Sequence, residues 1–340
     1  MGAPRAAAGR ERSRVRVGRV AAALPLPRPR APPPSPAAPL LPHRALPALR
    51  ALRRARPPAR SLRLLAALHI DPVTVALLVL LGIGVGAFGT IVGAGGGFIL
   101  TPVLLLLYPH EPAQTITAIS LTAVFFNAAS GTIAYARQRR TDFRSGIVFA
   151  LATLPGAIGG ALVTGVVSRT VFDAIMGAIL AALAVWLLLG ERWIPRPPRR
   201  HLTRRLLVDR QGLVYEYDVP LLRGALYSLV VGFVSSFLGI GGGVIHVPLL
   251  VRALGFPTHI ATATSHFVLA VMSGVGALTH VVHGSFAHGR DVLRAAYISA
   301  GIVVGAQIGA HVSLRLHGKL IERLLAASLL VLAARLILAA

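Results

Sequence analysis

The sequence predicts an all-α polytopic membrane protein: about eight transmembrane helices in two same-orientation repeats of four, each with a glycine-rich re-entrant or broken segment. Three observations predict it. Hydrophobic residues make up 55% of the chain and charged ones 14%, with a mean hydropathy of +0.71, too little charge to cover a water-soluble surface. Several apolar runs reach the roughly 20 residues that cross a bilayer. A glycine triplet with a proline five residues past it occurs twice, in "VGAGGGFILTP" (Val92–Pro102) and "LGIGGGVIHVP" (Leu238–Pro248), 146 positions apart.

Residues 1–69 read as a disordered basic tail rich in Arg, Pro and Ala; "LPLPRPRAPPPSPAAPLLPHRALPALRALRRARPPAR" has repeated helix breakers and no stable period. It lacks the uninterrupted apolar core of a signal peptide. Serine is too scarce for a typical transit sequence, and an over-extended start codon explains the tail at least as well. The first repeat then covers 70–190, beginning at Asp71-Pro72, a helix start with Pro in the first turn. Its spans are expected at 72–93, 114–135, 146–167 and 171–190. A basic linker, 191–220, precedes the second repeat, 221–340, with spans at 221–240, 258–282, 295–314 and 319–340. The glycine triplets fall in two shorter runs, 95–108 and 241–254, which fit re-entrant segments better than full spans.

The formal charge of +24 does not point to nucleic acid, because the arginines sit in the tail and at the ends of apolar runs, where they orient spans. "RQRRTDFR" (Arg137–Arg144) and "ERWIPRPPRRHLTRRLLVDR" (Glu191–Arg210) are expected to be cytoplasmic, and "PHEPA" (109–113), without Lys or Arg, to lie outside. Counting the short runs as re-entrant leaves four spans between a cytoplasmic N-terminus and the linker. Even repeats insert in the same orientation, with an axis along the membrane normal. "TAISL" (Thr117–Leu121) and "TATSH" (Thr262–His266) extend the repeat at an offset of 145, as do "GAIGGA" (Gly156–Ala161) and "GIVVGA" (Gly301–Ala306).

Non-helical backbone at membrane depth must be buried in protein or line a wet cavity. Gly93, Gly95, Gly96, Gly97 and Gly239, Gly241, Gly242, Gly243 permit positive φ and close approach to a ligand. The helix restarting after each triplet points free N–H groups back at the break, which suits an anion. Glycines spaced four apart, Gly156/Gly160 and Gly301/Gly305/Gly309, read instead as packing faces. The span interiors offer hydroxyls and amides, with Asp and Glu confined to the tail, loops and span ends, so an anion fits better than a cation. Thr101, Ser120 and Ser265 join the substrate-binding candidates. His246 and His266 do so because each falls in a repeated motif: His246 aligns with Leu100, and His266 with Ser120 or Leu121 at offsets of 146 or 145. His283 and His288 are expected at the cytoplasmic end. Cysteine is absent, which excludes disulfides and thiolate chemistry.

Two halves, each with a "GxGGGFxxxP"-like motif followed by an A-x-S segment, resemble the sulfite exporter TauE/SafE family over about 72–340. The second motif departs at Val244, where the first has Phe98, and at His246. The resemblance implies a permease moving sulfite, sulfonates, sulfoacetate or related organosulfur anions across the bacterial inner membrane. The leading reading is a secondary transporter working by alternating access, with a small anion and the lipid bilayer as partners, no cofactor, no resident metal and no catalysis. A metal-ion permease using the histidine cluster of the second half (His246, His259, His266, His280, His283 and His288), in which His280 and His283 are three apart on one helical face, is the alternative. An intramembrane enzyme is the third class; Ser120 with His266 is its best pair and lacks an orienting acid. Oligomeric state is not legible.

Overall fold

A computed structural model describes residues 70–188, 202–286 and 288–339; the tail at 1–69 and the linker stretch 189–201, with the readings made of them, lie outside it. The first half contains α1 (Pro72–Val92), α2 (Gly97–Leu107), α3 (Ala113–Arg137), α4 (Phe143–Thr164) and α5 (Arg169–Leu188). The second contains α6 (Leu221–Leu238), α7 (Gly243–Pro248, running on into a π-helical turn, Leu249–Ala253), α8 (Thr258–Val282), α9 (Gly289–Ser313) and α10 (Gly318–Ala339). Asp71 caps the first helix, accepting from the amides of Val73 and Thr74 at 3.1 and 3.3 Å, with Pro72 opening the turn. The eight long helices fall on the eight expected spans, and α2 and α7 on the two short runs. Seven of the eight are long and apolar enough to cross a membrane. The eighth, α10, carries Lys319, Glu322, Arg323 and Arg335 along its length. Large apolar side chains such as Leu77, Leu80, Val166 and Val282 stay exposed on the outer surface, as a lipid-facing bundle requires.

The helix directions overturn one expectation. Glycines zip the bundle into parallel pairs: Gly301, Gly305 and Gly309 of α9 rest on Val79, Ile83 and Ala87 of α1, and Gly156 and Gly160 of α4 rest on α6 around Leu229 and Phe233. A methyl group at these positions would collide with the facing backbone, so the packing reading of these glycines holds. Helix α3 runs parallel to α9, since Ser130 meets Val303 and Gln138 meets Ala310. Its repeat partner α8 runs the other way: Leu121 faces Gly276, Gly131 faces His266, and Thr115 donates to the Ser285 carbonyl at 3.0 Å. Equivalent helices of the two halves are therefore antiparallel. The repeats are inverted, related by a pseudo-two-fold axis across the helix directions, and not same-oriented.

The cause lies in the glycine breaks. The bundle has an arginine end, holding Arg137–Arg144, and an opposite end where α1 begins. Helix α2 leaves the centre and returns to the opposite end, where Arg169 donates to the carbonyls of Leu105 and Glu111 at 2.9 and 2.7 Å. The π turn after α7 returns to the arginine end in the same way, Arg252 donating to the Trp186 carbonyl at 3.1 Å. Each half thus makes one returning unit plus three crossings. Three is odd, so the second half inserts upside down. Asp71 and the Arg137–Arg144 loop consequently lie at opposite ends and cannot both face the cytoplasm; His283 and His288 also lie away from the arginine end.

The linker holds an element the composition did not announce. β1 (Thr203–Val208) and β2 (Val214–Val219) form an antiparallel hairpin, Thr203 opposite Val219 and Val208 opposite Val214, closed by a turn with Gly212 at φ 82°. Leu207, Tyr215, Tyr217 and Val219 turn one face onto an apolar cluster with Phe149, Leu254 and Phe256. Tyr217 donates to Asp142 at 3.1 Å; burial, and then the Asp142 charge, push its hydroxyl above the ordinary tyrosine range, so it remains a donor. At the turn, Arg140 pairs with Asp209 at 3.0 Å, both buried. Burial works to raise the Asp209 carboxyl, but the amide of Leu213, the Arg140 guanidinium and the amide of Gln211 together hold it below its usual value. A depressed carboxyl contributes stability above its unfolded value of about 4, lost as pH falls through the folded one. Thermal scans of the wild type are expected to lose Tm progressively below about pH 4, and an Arg140→Gln/Asp209→Asn double variant to lose less. An equal loss in both would remove Asp209 from the acid response.

Candidate functional site

The two glycine breaks meet at the centre of the bundle. Gly93, Gly95 and Gly96 take φ of 78°, 74° and 79°; Gly239, Gly241 and Gly242 take 71°, 77° and 67°. The backbone of one break is thus repeated in the other at the 146 offset, in a conformation that L side chains rarely adopt. Gly93 and Gly239 end α1 and α6, while Gly96 and Gly242 cap the starts of α2 and α7. The breaks also touch. A Cβ on Gly97 would stand 2.8 Å from the Gly239 carbonyl oxygen, and one on Gly243 would stand 2.6 Å from the Cα of Ala94.

Hydrogen bonds cross between the repeats reciprocally. Ser120 donates to the Gly239 carbonyl at 2.7 Å, and its equivalent Ser265 donates to the Gly93 carbonyl at 3.3 Å. This exchange fixes the offset of 145 for α3 and α8, so His266 is equivalent to Leu121. Thr101 adds a second donor to Gly239 at 2.8 Å, with its Oγ1 also 2.8 Å from the Ser120 Oγ; its equivalent, Val247, has no hydroxyl. These three hydroxyls brace the carbonyls of the breaks. The amides are left over: among the described residues, the N–H groups of Gly96, Gly97, Phe98, Gly241, Gly242 and Val244 have no hydrogen-bond acceptor. The Thr117, Ser235 and Ser236 hydroxyls are also buried without partners, and Ser235 lies against Gly242. A cluster of idle donors in a buried centre is costly unless something accepts from it, and an anion does.

Val124 of α3 and Leu269 of α8, equivalent at the 145 offset, close over this centre. A Cβ on Gly95 would reach Leu269 at 2.6 Å and Val124 at 3.1 Å, and one on Gly241 would also strike Val124. Sequence reasoning missed this pair, although the repeat offset already linked the two positions. The histidines are not brought to the breaks. His246 turns to Ser228 at 3.1 Å and packs edge-on against Phe149. His266 leans on Gly131 and Tyr135, its Nδ1 3.2 Å from the Thr262 carbonyl. His280 pairs with Ser285 and His283 with its own helix, and the described residues hold no group of three His, Cys, Asp or Glu placed for a metal.

A family model described as Sulfite exporter TauE/SafE matches residues 78–336. The chain belongs to this family. Within reach of that match, this TauE/SafE protein is 28% identical over 267 residues to the "Probable membrane transporter protein YunE" of Bacillus subtilis, covering 77% of this chain and 96% of the relative. It is 29% identical over 246 residues to a probable membrane transporter protein of a Sinorhizobium species, covering 72% and 85%. A probable membrane transporter protein of Methanocaldococcus jannaschii is 24% identical over 210 residues, covering 60% and 72%. No solved structure matches the TauE/SafE chain.

Proposed function

We propose that this protein is a secondary transporter for a small anion, of the sulfite, sulfonate or organosulfur class, working by alternating access around the two glycine breaks. The observation that carries the reading is the cluster of amides at the meeting point of the breaks that, among the described residues, have neither an acceptor nor a buried acidic side chain beside them. Inverted repeats suit the mechanism, since exchanging the conformations of the two halves converts an inward-open form into its outward-open mirror. The Val124/Leu269 pair is the apolar barrier that such an exchange must part. Membership of the family and the relatives' names support transport, and the family description supports the substrate class. The Ser120 hydroxyl serves the Gly239 carbonyl, while His266 Nδ1 lies 3.2 Å from the Thr262 carbonyl of its own helix.

Uptake of labelled sulfite, sulfoacetate and acetate into proteoliposomes, with and without a pH gradient, tests the proposal. Saturable uptake of a sulfur oxyanion above acetate is expected; equal, non-saturable fluxes for all three would reject it. We place the arginine end in the cytoplasm of a bacterial inner membrane, because that end concentrates Arg137, Arg139, Arg140, Arg144, Arg204, Arg205 and Arg210. The native chain has no cysteine, so single reporters are clean. In intact cells an impermeant maleimide is expected to label His110→Cys and to spare Arg139→Cys. The reverse pattern would invert the assignment.

A further inference from the structure

We propose that the arginine end carries a second anion site, a cavity in which Arg137, Arg140 and Arg210 hold a small oxyanion in competition with Asp209. This site goes beyond the central one, from which it is separate, and it stands on its own geometry. The cavity encloses about 380 Å³ between the end of α3, the end of α9 and the hairpin turn. Its lining holds three guanidinium groups against one carboxylate, together with Gln138 and Gln307. Its size suits a small ligand.

Arg140 is the central group. The chain turns it inward through Arg139, which at φ 57° is the one non-glycine residue with positive φ among those described. Arg140 is 3% exposed. Its Nε and Nη2 both converge on a single oxygen, Oδ2 of Asp209, at 3.2 and 3.0 Å, and its Nη1 is buried with no partner among the described residues. Asp209 has nothing more to offer, because Oδ1 already accepts from the amides of Gln211 and Leu213 at 2.8 and 3.0 Å. Arg137 and Arg210 flank the cavity, exposed, and neither has an acidic partner among the described residues. An arginine that only orients a span keeps its charge in water; a buried guanidinium with an idle N–H pair does not fit that role. The planar fork matches an oxyanion in a bidentate way that one aspartate oxygen does not satisfy. The cavity wall also leads inward: Gln307 donates to the carbonyl and hydroxyl of Ser130 at 2.9 and 2.8 Å, and the next residue, Gly131, supports the His266 ring.

The test uses the full chain in nanodiscs of neutral lipid, titrated calorimetrically with inorganic sulfite and with sulfate. Binding is expected to weaken as salt rises. Arg137→Gln/Arg210→Gln, both at exposed positions, is expected to lose about tenfold in affinity with an unchanged melting curve. Asp209→Asn keeps one acceptor oxygen for the Gln211 and Leu213 amides and replaces the oxygen that faces Arg140 with an amide NH2, removing the competing charge, so it is expected to bind several-fold tighter. Unchanged affinity in the double arginine variant, or no gain in Asp209→Asn, overturns the site. Gly97→Ala separates it from the transport reading: binding retained there but lost in the arginine variant supports a second site, whereas binding lost in Gly97→Ala alone places the anion at the breaks and overturns it. Abolition of sulfite binding when phosphatidylglycerol replaces the neutral lipid assigns the cavity to a headgroup phosphate and overturns the free-anion form.

Discussion

Gly97→Ala and Gly243→Ala are each expected to abolish transport while leaving a folded bundle of lower stability. Neither residue needs positive φ; what each lacks is room. A methyl at 97 would press into the Gly239 carbonyl, the Ile240 carbonyl carbon and the Val124 side chain, all within 2.8 Å. Two of these neighbours are backbone and cannot rotate away. Over-packing of this kind costs about 1–3 kcal/mol, so a melting curve shifted downward but still cooperative is expected. The functional loss should exceed the stability loss, because the shift separates the two breaks and scatters the amides of Gly96, Gly97, Gly241 and Gly242. Proteoliposome uptake at matched protein density checks this. Wild-type flux through either variant would show that the meeting of the breaks does not form the transport site.

The second large effect is non-additive. Ser120→Ala alone leaves the Gly239 carbonyl with Thr101 as donor, and Thr101→Val alone leaves it with Ser120. Each single variant is expected to be mild. The double variant strips a buried carbonyl of both donors and is expected to cost about 1–3 kcal/mol beyond the sum of the singles. Thermal denaturation of the four proteins closes the cycle, and simple additivity would mean that the two hydroxyls do not share the load. In the other repeat the Gly93 carbonyl has, among the described residues, only Ser265 from a side chain, at 3.3 Å, and Val247 stands where Thr101 would be. The half-sites are therefore unequal despite their common backbone.

Much of this molecule was legible in its residues. Eight apolar runs became eight long helices within a few positions, because burial in lipid selects on length and hydropathy, which are local. The glycine triplets became breaks, because three successive poor helix formers are a local fact as well. The offset already pairs Ser120 with Ser265 and Val124 with Leu269, but which carbonyl each serine serves is not local. The hairpin was hidden by the arginines of the linker, although "TRRLLV" and "VYEYDV" pair strand-like faces. The repeated motifs mark His246 and His266, but their rings point along directions that only helix packing sets.

The chain by itself determined the membrane class, the repeat and the two interruptions, since composition and periodicity act residue by residue. Tertiary structure alone decided that the halves are inverted, that each break is braced by the other half, and that Arg140 is buried beside a cavity. The physical reason is that a short helix after a break continues or turns back at nearly equal local cost. The choice falls to distant contacts, in which small residues of α1 and α9, and of α4 and α6, find each other's backbones.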